Sequence, residues 1–173
     1  MTGGGPSGPA GARSWWGDLP VGLRQARPED YDVVASVVDR WWGRPILDSL
    51  PRLFLDHFFG SSLVAPSSGA AAGGEPLRGF LVGFGSPSSP EVAYIHFVGI
   101  SPAERGSGLG RQLYETFFAA AAADGRREVH AVTAPVNAPS IAFHRAMGFE
   151  VSAPVIGHGG PGHDLVMFRR ALP

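Results

Sequence analysis

Hydrophobic positions recur along this chain with two periods. Val33, Val34, Val37 and Val38 fall on one face at helical spacing. Pro28 stands at the start of that helix, with Glu29 and Asp30 near the positive end of its dipole, and Gly43 and Pro45 stop it. Pro51 opens a second helix that should turn Leu53, Phe54, Phe58 and Phe59 inward. Farther on, Leu109, Leu113, Phe117 and Ala121 recur every four residues and predict a third helix. A fourth spans Pro139 to Met147, with Gly148 as its C-terminal cap. Between the helices lie short apolar or alternating runs that read as strands: Val21 to Gln25, Ser61 to Ala65, Leu77 to Phe84, Val92 to Ile100, Glu128 to Thr133, Phe149 to Val151 and Leu165 to Ala171. Pro66 to Pro76 reads as a Gly, Ala and Ser loop, and the turn at Pro87 to Pro90 joins two strands as a hairpin. The order is strand, two helices, three strands, helix, strand, helix, two strands. That predicts an α/β fold, a mixed sheet with helices on both faces.

Composition narrows the classes. The chain has 173 residues, which suits one domain, and its 44% hydrophobic and 17% charged residues are the balance of a folded chain. Met1 to Pro20 is rich in Gly and Pro and predicts a mobile tail, leaving 21–173 as the domain. The net charge of −1 argues against nucleic acid or an anionic membrane as partner. No apolar run approaches membrane-spanning length, and the N-terminus lacks the pattern of a signal peptide, so the cytoplasm is the expected location. There is no cysteine, which excludes disulfides, thiolate zinc sites and an acyl-cysteine intermediate. The six histidines form no HExxH or HxxxH pair. His158 and His163 lie in a glycine-rich stretch and suit mobile or structural roles better than a metal site, so no metal is expected.

The informative stretch runs from Val98 to Tyr114. A strand ends near Ile100, a helix begins near Gly108, and Arg105, Gly106, Ser107, Gly108, Leu109 and Gly110 lie at the junction. Glycines let a ligand approach the backbone, and the first helical turn offers free N–H groups and a positive dipole end. Together these suit a diphosphate, with Arg105 and Arg111 adding charge at the edges. Gly110 is followed by Arg111-Gln112, not the Lys-Ser/Thr of a Walker loop. The Gly106-x-Gly108-x-Gly110 spacing also departs from a dinucleotide fingerprint, as does its late position. A glycine-rich turn without a ligand stays open on the loop alone.

R-G-S-G-L-G, from Arg105 to Gly110, resembles the Arg/Gln-x-x-Gly-x-Gly/Ala pattern of the GNAT superfamily of N-acetyltransferases. The preceding Val98-Gly99-Ile100-Ser101-Pro102 is similar to that family's apolar strand and proline. A second block, Asn137 to Phe149, resembles its Asn-…-Phe-Tyr-…-Gly-Phe element. The resemblance extends in element order from Val21 and is specific between about Val92 and Phe149. It implies a largely antiparallel central sheet and direct transfer of acetyl from acetyl-CoA to a primary amine, with no metal. The backbone of Val98, Gly99 and Ile100 would hold the pantetheine arm. The N–H groups from Arg105 to Gly110 would hold the pyrophosphate, and Asn137 and Ser140 would stand near the arm. Asn137 equally suits a helix cap. Where many members carry an acid tyrosine this chain has His144, which suits a proton donor or a polar residue at the core edge. Tyr94 occupies the place of the family's common glutamate base. Simple alternation puts Tyr94, His96 and Val98 on one face, a bulge aside. Because no glutamate stands at the family's usual place, His96 or a water relay is the better base candidate, and a hydrogen-bonded strand histidine stays open.

In the family, the region between the first two helices walls the acceptor site. Here it carries Trp41 and Trp42 within R-W-W-G-R-P. Neighbouring helical residues point about 100° apart, so one indole can enter the core while the other faces the cleft. That favours a small-molecule amine as acceptor, although both rings covering the core stays open. A non-catalytic acyl-CoA-binding module, a protein or peptide N-acetyltransferase and a binder of another nucleotide are the alternatives. A homodimer is left open.

Overall fold

The computed structural model describes residues 14–68 and 74–173. Seven strands among them form one sheet in the order β1-β2-β3-β4-β5-β7-β6. The strands are β1 (Arg24–Gln25), β2 (Leu63–Pro66), β3 (Leu77–Gly85), β4 (Val92–Ile100), β5 (Glu128–Thr133), β6 (Glu150–Val151) and β7 (Val166–Ala171). The α-helices are α1 (Asp30–Trp42), α2 (Leu53–Phe58), α3 (Leu109–Ala123) and α4 (Ala138–Ala146). Neighbouring strands are antiparallel except β4 and β5, which run parallel. A parallel pair needs a crossover, and α3 supplies it.

The sheet separates two apolar cores. Leu113 and Phe117 of α3 pack with Leu81, Ile95, Val129 and Phe168 on one face. Val34, Val37, Val38 and Trp41 of α1 and Leu55 of α2 pack with Val64, Phe80 and Val82 on the other. Phe80, Leu81 and Val82 thus enter alternate cores, as a pleated strand requires. Burial on both faces is why β3 reads as a continuous apolar run. Gly43 ends α1 with φ of 67°, in the left-handed region that glycine adopts freely.

Some expectations shift. β1 is two residues long, and Val21 is fully exposed in the turn before it. Leu55, not Leu53, anchors α2, and Leu53 faces solvent. Of the expected loop from Pro66 to Pro76, residues 69–73 lie outside the described residues. The expected tail needs a larger correction. Its first 13 residues lie outside the described residues, but Trp16 is buried in the α3-side core. The rings of Trp15 and Trp16 stand 6.0 and 6.5 Å from Phe117. Two indoles bury enough area to order residues 14–20, so packing begins before Val21 among the described residues. Among the described residues no helix is long and apolar enough to cross a membrane.

Candidate active site

The site begins where two strands part. β4 pairs with β5 only from Val92–Tyr94 to Glu128–His130. Beyond Tyr94, β4 keeps only β3 as a neighbour, and beyond His130, β5 keeps only β7. The two strand edges therefore face a wedge with backbone groups that have no ladder partner. Such groups seek hydrogen bonds, and an extended amide-bearing chain supplies them.

A bulge sits at the mouth of the wedge. Val82 pairs with Phe97, but Gly83 pairs with Ile95, so His96 is the extra residue of β4. This corrects the simple alternation. His96 stacks on Phe54 of α2, and Phe97 packs beside Trp42 and Phe80, all on the α1–α2 side. Tyr94 stacks on Phe84, which also contacts Phe54. Val98 and Ile100 pack against the α3-side core instead. The bulge thus separates Val98 from Tyr94 and His96. It aims the titratable side chains to one side of the sheet and leaves the backbone of Val98, Gly99 and Ile100 along the wedge.

The wedge runs into the glycine loop. A 3-10 turn at Pro102–Glu104 follows β4, and Arg78 holds Glu104 through bonds of 3.0 and 2.9 Å. The Ser107 hydroxyl also donates to Glu104, at 3.2 Å. Arg78 and this hydroxyl keep the Glu104 carboxyl below its usual range. Gly106 and Gly108 adopt φ of 82° and 91°, which side-chain-bearing residues rarely take. A Cβ added to either meets nothing within 4 Å, so the space over the loop is open. Arg105, Ser107 and Leu109 donate their N–H groups within the loop. Those of Gly106, Gly108, Gly110 and Arg111 make no hydrogen bond among the described residues. Open N–H groups at the positive end of a 15-residue helix fit a diphosphate. Arg105 is not a free edge charge: its guanidinium donates to the Trp41 carbonyl at 2.6 Å and ties the loop to the end of α1. Arg111 is half-exposed beside the open N–H groups and pairs with Glu115 at 3.3 Å.

On α4, the Asn137 side chain accepts the Ser140 N–H at 3.3 Å and donates to the Thr133 hydroxyl at 3.0 Å. It caps the helix and joins it to the end of β5. His144 packs among the α3-side core residues Tyr114, Phe149 and Phe168. It is buried and stacks on Phe168 with ring centroids 3.8 Å apart. Its Nδ1–H donates to the Ser140 carbonyl at 2.8 Å, and the Ser140 hydroxyl lies 3.3 Å from the same nitrogen. Its Nε2 then accepts the O–H of Tyr114 at 3.0 Å. Both nitrogens are engaged inside the core, which leaves no proton to offer a leaving group. Tyr114 is the partner the sequence reading missed, 30 residues away on α3.

Burial pushes the His144 imidazole below its ordinary range, although the Ser140 carbonyl opposes this. The unfolded chain, titrating near 6.5, then binds the extra proton first. Stability is full above about pH 6.5 and is lost as pH falls through the folded-state value. Calorimetric melting should therefore show a fall in Tm as pH drops below about 6.5. In His144→Phe that slope should be shallower. The variant should also lose about 1–3 kcal/mol at neutral pH, because the Tyr114 O–H loses its partner.

His96 is held differently. Its Nε2–H donates to the Ser49 carbonyl at 2.9 Å, and the Phe54 ring lies 3.7 Å away at 13°. Nδ1 carries no hydrogen bond among the described residues. Burial lowers the imidazole's affinity for a proton, partly offset by Ser49, so the neutral form with a free lone pair dominates at pH 7. Burial also raises the Tyr94 phenol, keeping it protonated.

The two indoles divide as their helical offset demands. Trp41 is buried on Phe80, with ring centroids 6.1 Å apart. Trp42 is half-buried, 5.1 Å from Phe97 and on the same side of the sheet as His96. Trp41→Ala should cost about 3–5 kcal/mol of stability without selective loss of acceptor binding. Trp42→Ala should raise the acceptor KM severalfold and leave CoA affinity intact. Thermal melts beside steady-state kinetics separate the two.

A groove of about 470 Å³ is lined by Trp16–Pro20 and by Gln112, Thr116 and Ala119 of α3.

Residues 27–149 match the sequence model of the Acetyltransferase (GNAT) family. The L-2,4-diaminobutyric acid acetyltransferase of Nocardia farcinica is 32% identical over 95 residues, 55% of this chain and 46% of that protein. The chain spans under half the length of the curated relatives it matches. A phosphinothricin acetyltransferase from Sinorhizobium meliloti, solved in complex with AcCoA, superposes with a TM-score of 0.65 at 21% identity, over 87% of each chain. The ribosomal-protein-S18-alanine N-acetyltransferase of Escherichia coli does so with a TM-score of 0.65 at 14% identity, over 87% of this chain and 92% of that one.

Proposed function

The chain belongs to the acetyltransferase (GNAT) family, and from that premise we propose that it transfers acetyl from acetyl-CoA directly to a primary amine of a small molecule. The observation that carries this reading is the wedge between β4 and β5 running into a loop of open N–H groups at the start of α3. The wedge edges suit the amide-bearing pantetheine arm, and the loop suits the pyrophosphate.

Acetyl-CoA is a co-substrate here and supplies an activated acetyl thioester. The rest falls to the chain. An alkylammonium has a pKa near 10, so little free amine exists at pH 7. His96 Nδ1 takes one proton from the ammonium. The freed amine forms the new C–N bond to the acetyl carbonyl carbon, and the C–S bond breaks. The second nitrogen proton passes through solvent to the departing thiolate. A thiolate is a weaker base and a better leaving group than an alkoxide, so the engagement of His144 in the core is no obstacle. A backbone N–H of β4 near Val98 steadies the developing oxyanion. Much of the remaining acceleration comes from holding the two substrates together.

A small acceptor is supported by the aromatic face of Trp42, Phe97 and Phe54 around His96. It is also supported by the relative whose name gives diaminobutyric acid as its substrate. The test is mass spectrometry on small amines, amino acids and N-terminal peptides incubated with protein and acetyl-CoA. An acetyl mass gain on the nitrogen of a small amine is expected. Gain on peptides alone would move the reading to a peptide acetyltransferase.

A further inference from the structure

The base needs more than a lone pair; it needs the right nitrogen aimed at the acceptor. The imidazole of His96 is set by two contacts from outside its strand, the Ser49 carbonyl and the Phe54 ring. Ser49 closes a 3-10 turn, Leu47–Ser49, between α1 and α2. Two features fix that turn. Leu50, just after it, is fully buried and donates its N–H to the Leu47 carbonyl at 2.8 Å. At the other end, the exposed Asp39 carboxylate on α1 accepts the N–H groups of Ile46 and Leu47, at 2.8 and 2.9 Å through a single oxygen. That oxygen caps the turn as a side chain caps a helix.

We propose that Asp39 is a positioning residue for the acetyl transfer: by capping the 3-10 turn it places the Ser49 carbonyl to take the Nε2–H of His96, which leaves Nδ1 as the proton-accepting nitrogen. Phe54 clamps the plane of the ring. Asp39 itself touches no substrate and moves no proton. Its oxygen sets two backbone N–H groups, the turn sets a carbonyl, and the carbonyl selects the tautomer. A carbonyl can only accept, so the contact holds only while Nε2 bears the hydrogen. The proton delivered to Nδ1 in each turnover makes the ring a cation, and Ser49 continues to accept from Nε2. The ring therefore need not move between the two states. The inference rests on His96 being the base.

Asp39→Asn keeps the accepting oxygen, and Asp39→Ala removes it. Asp39→Ala should lower kcat about tenfold with the CoA affinity unchanged, and Asp39→Asn should restore it to near the parent value. Nitrogen-15 spectra of the full chain, with the His96 signals assigned by their loss in His96→Gln, should show the Nε2–H tautomer in the parent and a mixture in Asp39→Ala. Two further variants separate the nitrogens. The amide nitrogen of glutamine lies about where Nε2 lies, and that of asparagine about where Nδ1 lies. Both should fall in kcat by about 10²-fold or more, but only His96→Gln should keep the Tm of the parent. An Nδ1–H tautomer in the parent, or an Asp39→Ala enzyme with unchanged kcat, overturns the positioning role while leaving the base intact. Full activity in His96→Gln and His96→Asn overturns the base itself.

Discussion

Gly108→Asp should weaken CoA binding by more than about 100-fold, some 2.7 kcal/mol, while the protein stays folded. Gly108 takes φ of 91° just before α3, so any side chain strains the backbone there. Aspartate also brings a negative charge to the place where the pyrophosphate would sit. At an effective dielectric near 20, two like charges about 4 Å apart repel by roughly 4 kcal/mol, so the charge outweighs the strain. A Cβ at this position meets nothing within 4 Å, so the core is not disturbed. Gly108→Ala carries the strain without the charge and should lose only about tenfold, since the left-handed penalty is roughly 1–2 kcal/mol. Titration calorimetry with CoA, beside thermal melts of both variants, separates backbone from charge.

His96→Ala should lower kcat/KM for the amine by about 10²–10⁴-fold, the usual share of a general base, with CoA affinity retained. The pH profile gives a second signature. Burial holds the folded His96 imidazole below its ordinary value near 6.5. The base works only when neutral, so the rate is sustained down to pH 6.5 and falls as pH drops through the lowered value. His96→Ala should erase that acid limb and leave the rise toward the amine's own pKa. A variant that kept the limb would place the titrating group elsewhere.

Much of the fold was legible because strong periodicity leaves little choice. β4 and β5 begin and end where the sequence pattern places them, and α3 follows the four-residue recurrence from Leu109 to Ala121. The glycine loop was legible for a related reason, since Gly106 and Gly108 stand in a conformation other residues avoid. What escaped depends on contacts distant in sequence. No local pattern marks the extra residue at His96, because a bulge is a relation between two strands. The engagement of His144 follows from Tyr114 on another helix. Arg105 reads as a phosphate ligand until the carbonyl of Trp41, 64 residues earlier, is seen to hold it. Composition averages over a segment and so assigns Trp15 and Trp16 to a tail, whereas two indoles against Phe117 decide the packing there. Asp39 reads as an ordinary exposed carboxylate until the turn it caps is traced to His96.

The proposed acetyl transfer from acetyl-CoA to a small primary amine, at the wedge between β4 and β5, is tested by the rate at which free CoA thiol appears when small amines are added one by one to protein and acetyl-CoA. Thiol release should depend on the amine, saturate with it, match the acetylated product mole for mole and collapse in His96→Ala. CoA that binds tightly yet yields no amine-dependent thiol with any acceptor would contradict the proposed transfer and leave a binding module in its place.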